Sequence, residues 1–273
     1  FHVAFKLSAS TIMTGKIISS EKRVFFEKQG YLIMPSMFDA GVCRMLRAFA
    51  IEELEKMVPP LEYELDVKYP GAPNDRRSLG AKTVRRILQA TSRDPKILAV
   101  ASDPLLCASI SSLFKSKNGL MLSQNHHNCI MTKDARFSSD TLWHQDIRYW
   151  SFSDDNLISA WIALGPEFEK NGGLKVLPGS HLREFSSHAF DPDLFFRTDF
   201  DGNKEFLRGE LQITLNPGDV FLFHSKLLHS ANRNRSDETK LSLVFTYYDE
   251  SNSPNKGSRS DKLPPIRVCS GGI

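Results

Sequence analysis

The chain has 273 residues, with 35 Lys and Arg against 32 Asp and Glu for a formal charge of +3, and 41% hydrophobic and 25% charged residues, the proportions of an ordinary folded soluble protein. The basic residues are spread out with no compact run of five or more, which argues against nucleic acid as a partner. Cys43, Cys107, Cys129 and Cys269 form no CxxC pair, no apolar stretch reaches the roughly 18 residues of a membrane span, and Phe1 to Met13 lacks a signal-peptide core, so a cytoplasmic protein with reduced thiols is expected.

In chain order, Ser20 with Arg23 three residues on gives an imperfect capping pattern. Apolar residues at helical spacing then run to Gly30, which predicts a short amphipathic helix closed by glycine. Tyr31 to Met34 predicts a brief buried strand stopped at Pro35. Asp39 caps a longer helix in which Val42, Leu46, Phe49, Leu54 and Met57 recur every three or four residues until Pro59-Pro60. Leu61 to Arg77 carries Pro70, Gly71, Pro73, Asn74 and Asp75 and predicts a surface loop able to cover a site. Asp94-Pro95 and Asp103-Pro104 each start a helix, so residues 19–117 are expected to be mainly helical.

From Gly119 the pattern changes to LMLSQNHHNCIM, TLWHQDIRYW, LISAWIAL, GGLKVLPGS, LQITL, DVFLFH and KLSLVFTYY. These runs, broken by short turns, predict an antiparallel sandwich or barrel over about 118–250. Ser251 to Ile273 predicts an irregular tail. One α+β domain over 1–273 is expected, because β cores commonly reach roughly 200 to 250 residues as a unit.

In Trp143-His144-Gln145-Asp146-Ile147-Arg148, His144 and Asp146 are two apart, so on a strand they share one face with Arg148 next in line. An imidazole and a carboxylate can then meet one metal ion, yet an HxD pair alone reads equally as a structural pair, and a third ligand is required. His224 and His229 in PGDVFLFHSKLLHSANRN are both candidates, and spacing does not choose between them. Either would complete the two-histidine, one-carboxylate face that suits non-haem Fe(II), leaving three positions for a chelating 2-oxoacid and dioxygen.

Other residues read as structural. His181 in PGSH fixes a turn, and Gly172-Gly173 and Pro178-Gly179 are turn punctuation. His126 and His127 occupy adjacent strand positions, so at most one enters a barrel. Arg76, Arg77, Lys82, Arg85 and Arg86 read as a solvated face that, beside a site, would hold an anion.

WHQD, AWIAL, NGGLKVLPGSH, NPGDVFLFH and LLHSANRN, preceded by GYLIMPSMF, run in order across about Gln29 to Tyr248. This series resembles the phytanoyl-CoA dioxygenase family of Fe(II)- and 2-oxoglutarate-dependent hydroxylases. The resemblance implies a double-stranded β-helix, or jelly roll, with helices packed against it, and hydroxylation coupled to oxidative decarboxylation of 2-oxoglutarate. It implies His144, Asp146 and His229 as iron ligands, with His224 a neighbour. It also implies that the cation for the far carboxylate of 2-oxoglutarate is Lys240, where the family usually has arginine; lysine offers a point charge instead of a planar fork. Arg233 and Arg235 compete for that role but fall in a polar loop. Ser242 stands two residues on from Lys240, and Trp161 matches a family tryptophan near the co-substrate while reading equally as a core aromatic. Asp146 argues against halogenation, which in some relatives goes with loss of the carboxylate ligand.

The longer string WHQDIRYWSF is similar to that of the family's lipopolysaccharide 3-deoxy-D-manno-octulosonic acid (Kdo) 3-hydroxylases, which implies C3 of a Kdo sugar of Kdo-lipid A as substrate. Arg148 is then expected to meet the sugar carboxylate or, equally, to pair with Asp146 or another carboxylate in support of the metal site. A lipid-linked substrate implies peripheral contact with the cytoplasmic membrane surface. The alternatives are a fatty acyl-CoA, a small soluble metabolite, or a non-catalytic jelly-roll module.

Overall fold

The computed structural model describes residues 18–116 and 118–270; the expectations for Phe1 to Met13, for Lys117 and for the last residues of the tail lie outside them. Helix α1 (Ser20–Gln29) begins where the Ser19 hydroxyl accepts from the Lys22 amide. The cap is therefore one residue earlier than Ser20. The helix closes at Gly30, whose φ of 79° is left-handed and whose missing Cβ leaves room for the His181 ring. Strand β1 (Tyr31–Met34) and helix α2 (Ala40–Lys56) follow as read, Asp39 accepting from the amides of Gly41 and Val42.

The region expected to be mainly helical also contributes β2 (Leu61–Tyr63) and β3 (Val84–Leu88). Arg85 and Arg86 masked β3 because they break its alternation, and both are held by carboxylates from the neighbouring segment. Asp94 and Asp103 cap α3 (Pro95–Ala101) and α4 (Pro104–Phe114). Contrary to the sequence reading, Pro95–Phe114 is long and apolar enough for a span by composition, but it is two helices broken at Ser102–Asp103, with inner faces buried in the core.

The next run divides into β4 (Leu120–Leu122) and β5 (Asn128–Lys133), followed by β6 (Thr141–His144), β7 (Leu157–Ala163) and β8 (Leu174–Val176). Helix α5 (Asp201–Leu207), β9 (Leu211–Gln212), β10 (Val220–His224), β11 (His229–Ala231) and β12 (Lys240–Asp249) complete the expected core. The tail is not wholly irregular: β13 (Ile266–Cys269) pairs with β4, because Ile266 and Val268 cover the end of the core under α4.

Two antiparallel sheets result. The larger runs β1-β10-β7-β12-β5-β3-β2, with β4 on β12 and β13 on β4; the smaller runs β6-β11-β8-β9. Alternation on β12 divides its side chains between two environments. Leu241, Leu243, Phe245 and Tyr247 join Leu46, Ala50, Ile97 and Ile110 of the helices, while Val244 joins Trp161, Phe221 and Phe223 between the sheets. Both faces of β7 and β12 are buried, which is why apolar residues occupy both faces and are interrupted mainly by buried polar residues such as Ser159, Ser242 and Thr246. The cysteines carry free thiols, and Cys43, Cys107 and Cys129 are buried.

Candidate metal centre

Antiparallel pairing of β6 with β11 sets His144 directly opposite His229, with ring centroids 4.2 Å apart. At Gln145 the chain leaves β6 for a short 3-10 turn, Asp146–Tyr149, so Asp146 does not reach the site as the next inward residue of a strand. The Ile147 amide donates to Ser225 O at 2.9 Å and anchors that turn. Asp146 Oδ1 then lies 3.7 Å from His144 Nε2 and 3.5 Å from His229 Nε2, and all three side chains are buried.

Protonation follows from the neighbours. His144 Nδ1 donates to Leu142 O at 2.8 Å and His229 Nδ1 donates to Leu227 O at 3.0 Å, because a carbonyl only accepts. In the neutral rings Nε2 is therefore unprotonated, and both lone pairs face Asp146 Oδ1, a buried atom with no hydrogen-bond partner among the described residues. Burial, and then His229, hold the His144 pKa well below its usual value, so the ring stays neutral. Three converging lone pairs with no donor among them make an unfavourable arrangement that a divalent cation would relieve. Two nitrogens and one carboxylate fit Fe(II).

Asp146 Oδ2 is oriented from the other side by Ser159 Oγ and His127 Nδ1, each at 3.3 Å. Burial pushes the His127 pKa down to about 4 despite Asp146. Both His126 and His127 line the cavity in front of the three ligand candidates, contrary to the expectation that at most one would. The reason is local: they precede β5, and His126 has φ 34°, so the alternation of an extended strand does not apply. His126 stacks on Tyr149 with centroids 4.1 Å apart. The cavity, of about 160 Å³, is walled by Trp161, Leu174, Phe223, Tyr69 and Tyr149, and by the basic side chains of Arg85, Arg86 and Lys133.

The residues proposed for the co-substrate come together, but around an unexpected carboxylate. Trp161 Nε1, Lys240 Nζ and Ser242 Oγ converge on Glu167 at 2.9, 3.0 and 2.6 Å. Lys240 and Glu167 are both buried, so the lysine charge is already matched. No sequence motif marks Glu167, which follows directly on Gly165-Pro166. Arg233 forms an ion pair with Asp140 at 2.7 Å, and Arg235 is exposed.

Arg148 lies in the 3-10 turn and not on a strand face. Its guanidinium stacks over Phe195 at 3.7 Å, reaches Tyr149 Oη at 3.3 Å and donates to Asp193 O, with no contact to Asp146. The basic cluster divides: Arg76, Arg77 and Lys82 are exposed, whereas Arg85 and Arg86 enter the cavity wall against Glu64 and Glu62. His224 faces away from the metal site towards His181, 5.3 Å between centroids, while its neighbour Phe223 packs on His229. His181 Nε2 donates to Glu27 O at 3.1 Å, which fixes the turn at the end of α1.

A model of the family described as phytanoyl-CoA dioxygenase (PhyH) matches residues 26–242, most of the chain. The chain belongs to the phytanoyl-CoA dioxygenase family. It is thereby an Fe(II)- and 2-oxoglutarate-dependent dioxygenase, and a non-catalytic module is set aside. A probable phytanoyl-CoA dioxygenase of Caenorhabditis elegans is 23% identical over 243 residues, 86% of this chain and 77% of that protein. The ectoine dioxygenase of Sphingopyxis alaskensis is 21% identical over 264 residues, 91% of this chain and 81% of that one. In fold, the chain resembles EctD from S. alaskensis, solved with 2-oxoglutarate and 5-hydroxyectoine, with TM-score 0.71 at 20% identity, covering 94% of this chain and 85% of that one. The epimerase SnoN, solved with Fe3+, alpha ketoglutarate and nogalamycin RO, gives TM-score 0.71 at 22% identity, covering 93% and 94%.

Proposed function

We propose that this phytanoyl-CoA dioxygenase family member uses His144, Asp146 and His229, inside a double-stranded β-helix, to hydroxylate a C–H bond of an anionic substrate. The first candidate is C3 of the Kdo sugar of Kdo-lipid A. The observation that carries the chemistry is the orphaned Asp146 Oδ1 facing two unprotonated imidazole nitrogens in a buried cavity. Bound iron would supply dioxygen activation coupled to decarboxylation of 2-oxoglutarate to succinate and carbon dioxide. The chain's own part is to position and to exclude water: Ser159 and His127 fix Asp146, and Trp161, Phe223 and Tyr149 wall the cavity.

Support for an acidic substrate comes from Arg148, held by stacking and by a carbonyl but by no carboxylate, so its charge is left for a ligand beside Tyr149. The WHQDIRYWSF string supports Kdo in particular. The relatives named above act, by their names, on phytanoyl-CoA and ectoine, so substrate choice within the family is broad. On this reading the enzyme works in the cytoplasm, touching the inner membrane surface where its lipid-linked substrate lies.

Mass spectrometry of Kdo-lipid A incubated with enzyme, Fe(II), ascorbate and 2-oxoglutarate should show one added oxygen. Parallel incubations with a fatty acyl-CoA supply the competing arm. Unchanged Kdo-lipid A, from enzyme that still forms succinate, would rule the Kdo assignment out.

A further inference from the structure

We infer that Glu167 is a built-in occupant of the anion pocket formed by Trp161, Lys240 and Ser242, and that Lys133 on the neighbouring strand receives the far carboxylate of the 2-oxoacid co-substrate. The inference rests on the dioxygenase reading and changes which residue of this chain reads the co-substrate.

Three donors of different chemistry, an indole N–H, an ammonium and a hydroxyl, close on one carboxylate with both partners of the ion pair buried. That is a complete carboxylate site, already filled from within the chain. A co-substrate carboxylate in its place would only remake the three bonds Glu167 already makes, and would leave the buried Glu167 carboxylate to be placed elsewhere, so the exchange is unfavourable. Lys240 is therefore spent as a recognition cation.

Lys133 lies directly across the β12–β5 ladder from Lys240, so the two side chains leave the same face. It lines the same cavity as His144, Asp146 and His229. Among the described residues its Nζ meets only carbonyl oxygens, Ser139 O at 2.9 Å, Asn232 O at 2.8 Å and, most weakly, Ala231 O at 3.4 Å, so no carboxylate pairs with it. The other cavity-wall cations are matched by acids, Arg85 by Glu64 and Arg86 by Glu62. Gly172 makes way for the Lys133 stem: its φ is 78°, and a Cβ there would come within 2.6 Å of Lys133 Cδ. Burial, then Arg85 and Lys240, pull the Lys133 pKa well below its usual value against Glu64 and Asp140, so the bare site disfavours the ammonium and an arriving carboxylate would favour it.

The test compares binding of 2-oxoglutarate with that of 2-oxopentanoate, the same chain without the far carboxylate. Fe(II)-loaded protein is titrated anaerobically by calorimetry and by the visible charge-transfer band. Lys133→Met should weaken 2-oxoglutarate by about 30-fold or more while leaving 2-oxopentanoate within about threefold. The charge-neutral double variant Lys240→Met, Glu167→Gln should leave both acids within about threefold, since it removes a pair the co-substrate does not meet. Loss of 2-oxoglutarate binding in the double variant, alone or alongside Lys133→Met, overturns the inference. So does a Lys133→Met protein that keeps its 2-oxoglutarate affinity or loses both acids equally. Wild-type protein that binds neither acid would overturn the inference together with the dioxygenase reading beneath it.

Discussion

Two hydrogen bonds decide what the site histidines can do. Because Leu142 O and Leu227 O each take the Nδ1 proton, the Nε2 atoms present lone pairs, and Asp146 Oδ1 is left without a donor. His229→Ala removes one of the three and should abolish Fe(II) binding measured by metal content after gel filtration. His224→Asn, on the outer side of β10, should retain it. His224 makes a second prediction. Burial, and then His181, push its pKa down to about 4 from an ordinary value of 6.5. Its neutral form belongs to the fold, so the unfolded chain binds more protons between those values and stability falls as pH drops from about 6.5 to about 4. The shift corresponds to about 3 kcal/mol at most. His224→Asn retains an acceptor for the Lys226 amide, and urea titrations should show it losing less stability than wild type across that window. Parallel losses would mean that other groups carry the acid sensitivity.

At the scale of elements, helix caps were the most legible signals: Asp39, Asp94 and Asp103 each accept amides where the sequence placed them. Strand faces were legible wherever the chain stays extended, as on β12, where Lys240 and Ser242 share a face and touch the same carboxylate. They failed where the chain leaves the strand. Asp146 and Arg148 turn in a 3-10 segment, and His126 is left-handed, so spacing by two carried no information about their direction. Strand β3 was hidden by Arg85 and Arg86, whose partners Glu62 and Glu64 are distant enough in sequence that the compensation is invisible without the fold. The doubly buried strands should be the most sensitive elements. Phe245→Ala empties a fully buried aromatic position on β12 and should lower unfolding free energy by about 3–5 kcal/mol in urea. A loss below about 1 kcal/mol would mean that the helices and the large sheet do not share one core.

For the molecule as a whole, the charge of +3 says little, because the charges that matter are placed locally. Lys240 is paired with Glu167, Arg86 with Glu62 and Arg233 with Asp140, whereas Lys133 inside and Arg148 beside the cavity pair with no carboxylate among the described residues. Family membership was readable from motif order, since motifs preserve the sequence of strands, and the same order singled out His144, Asp146 and His229, which the fold brings together. The Glu167 pocket was not, since it brings together β7, β12 and a turn that only folding makes adjacent. On this reading the two sheets hold an iron site open to a 2-oxoacid. Anaerobic addition of Fe(II) and then 2-oxoglutarate to the wild-type protein tests it most directly. A weak visible charge-transfer band that saturates at one iron per chain and is absent from His229→Ala is the predicted result; a folded wild-type protein that takes up no iron and shows no band would contradict it.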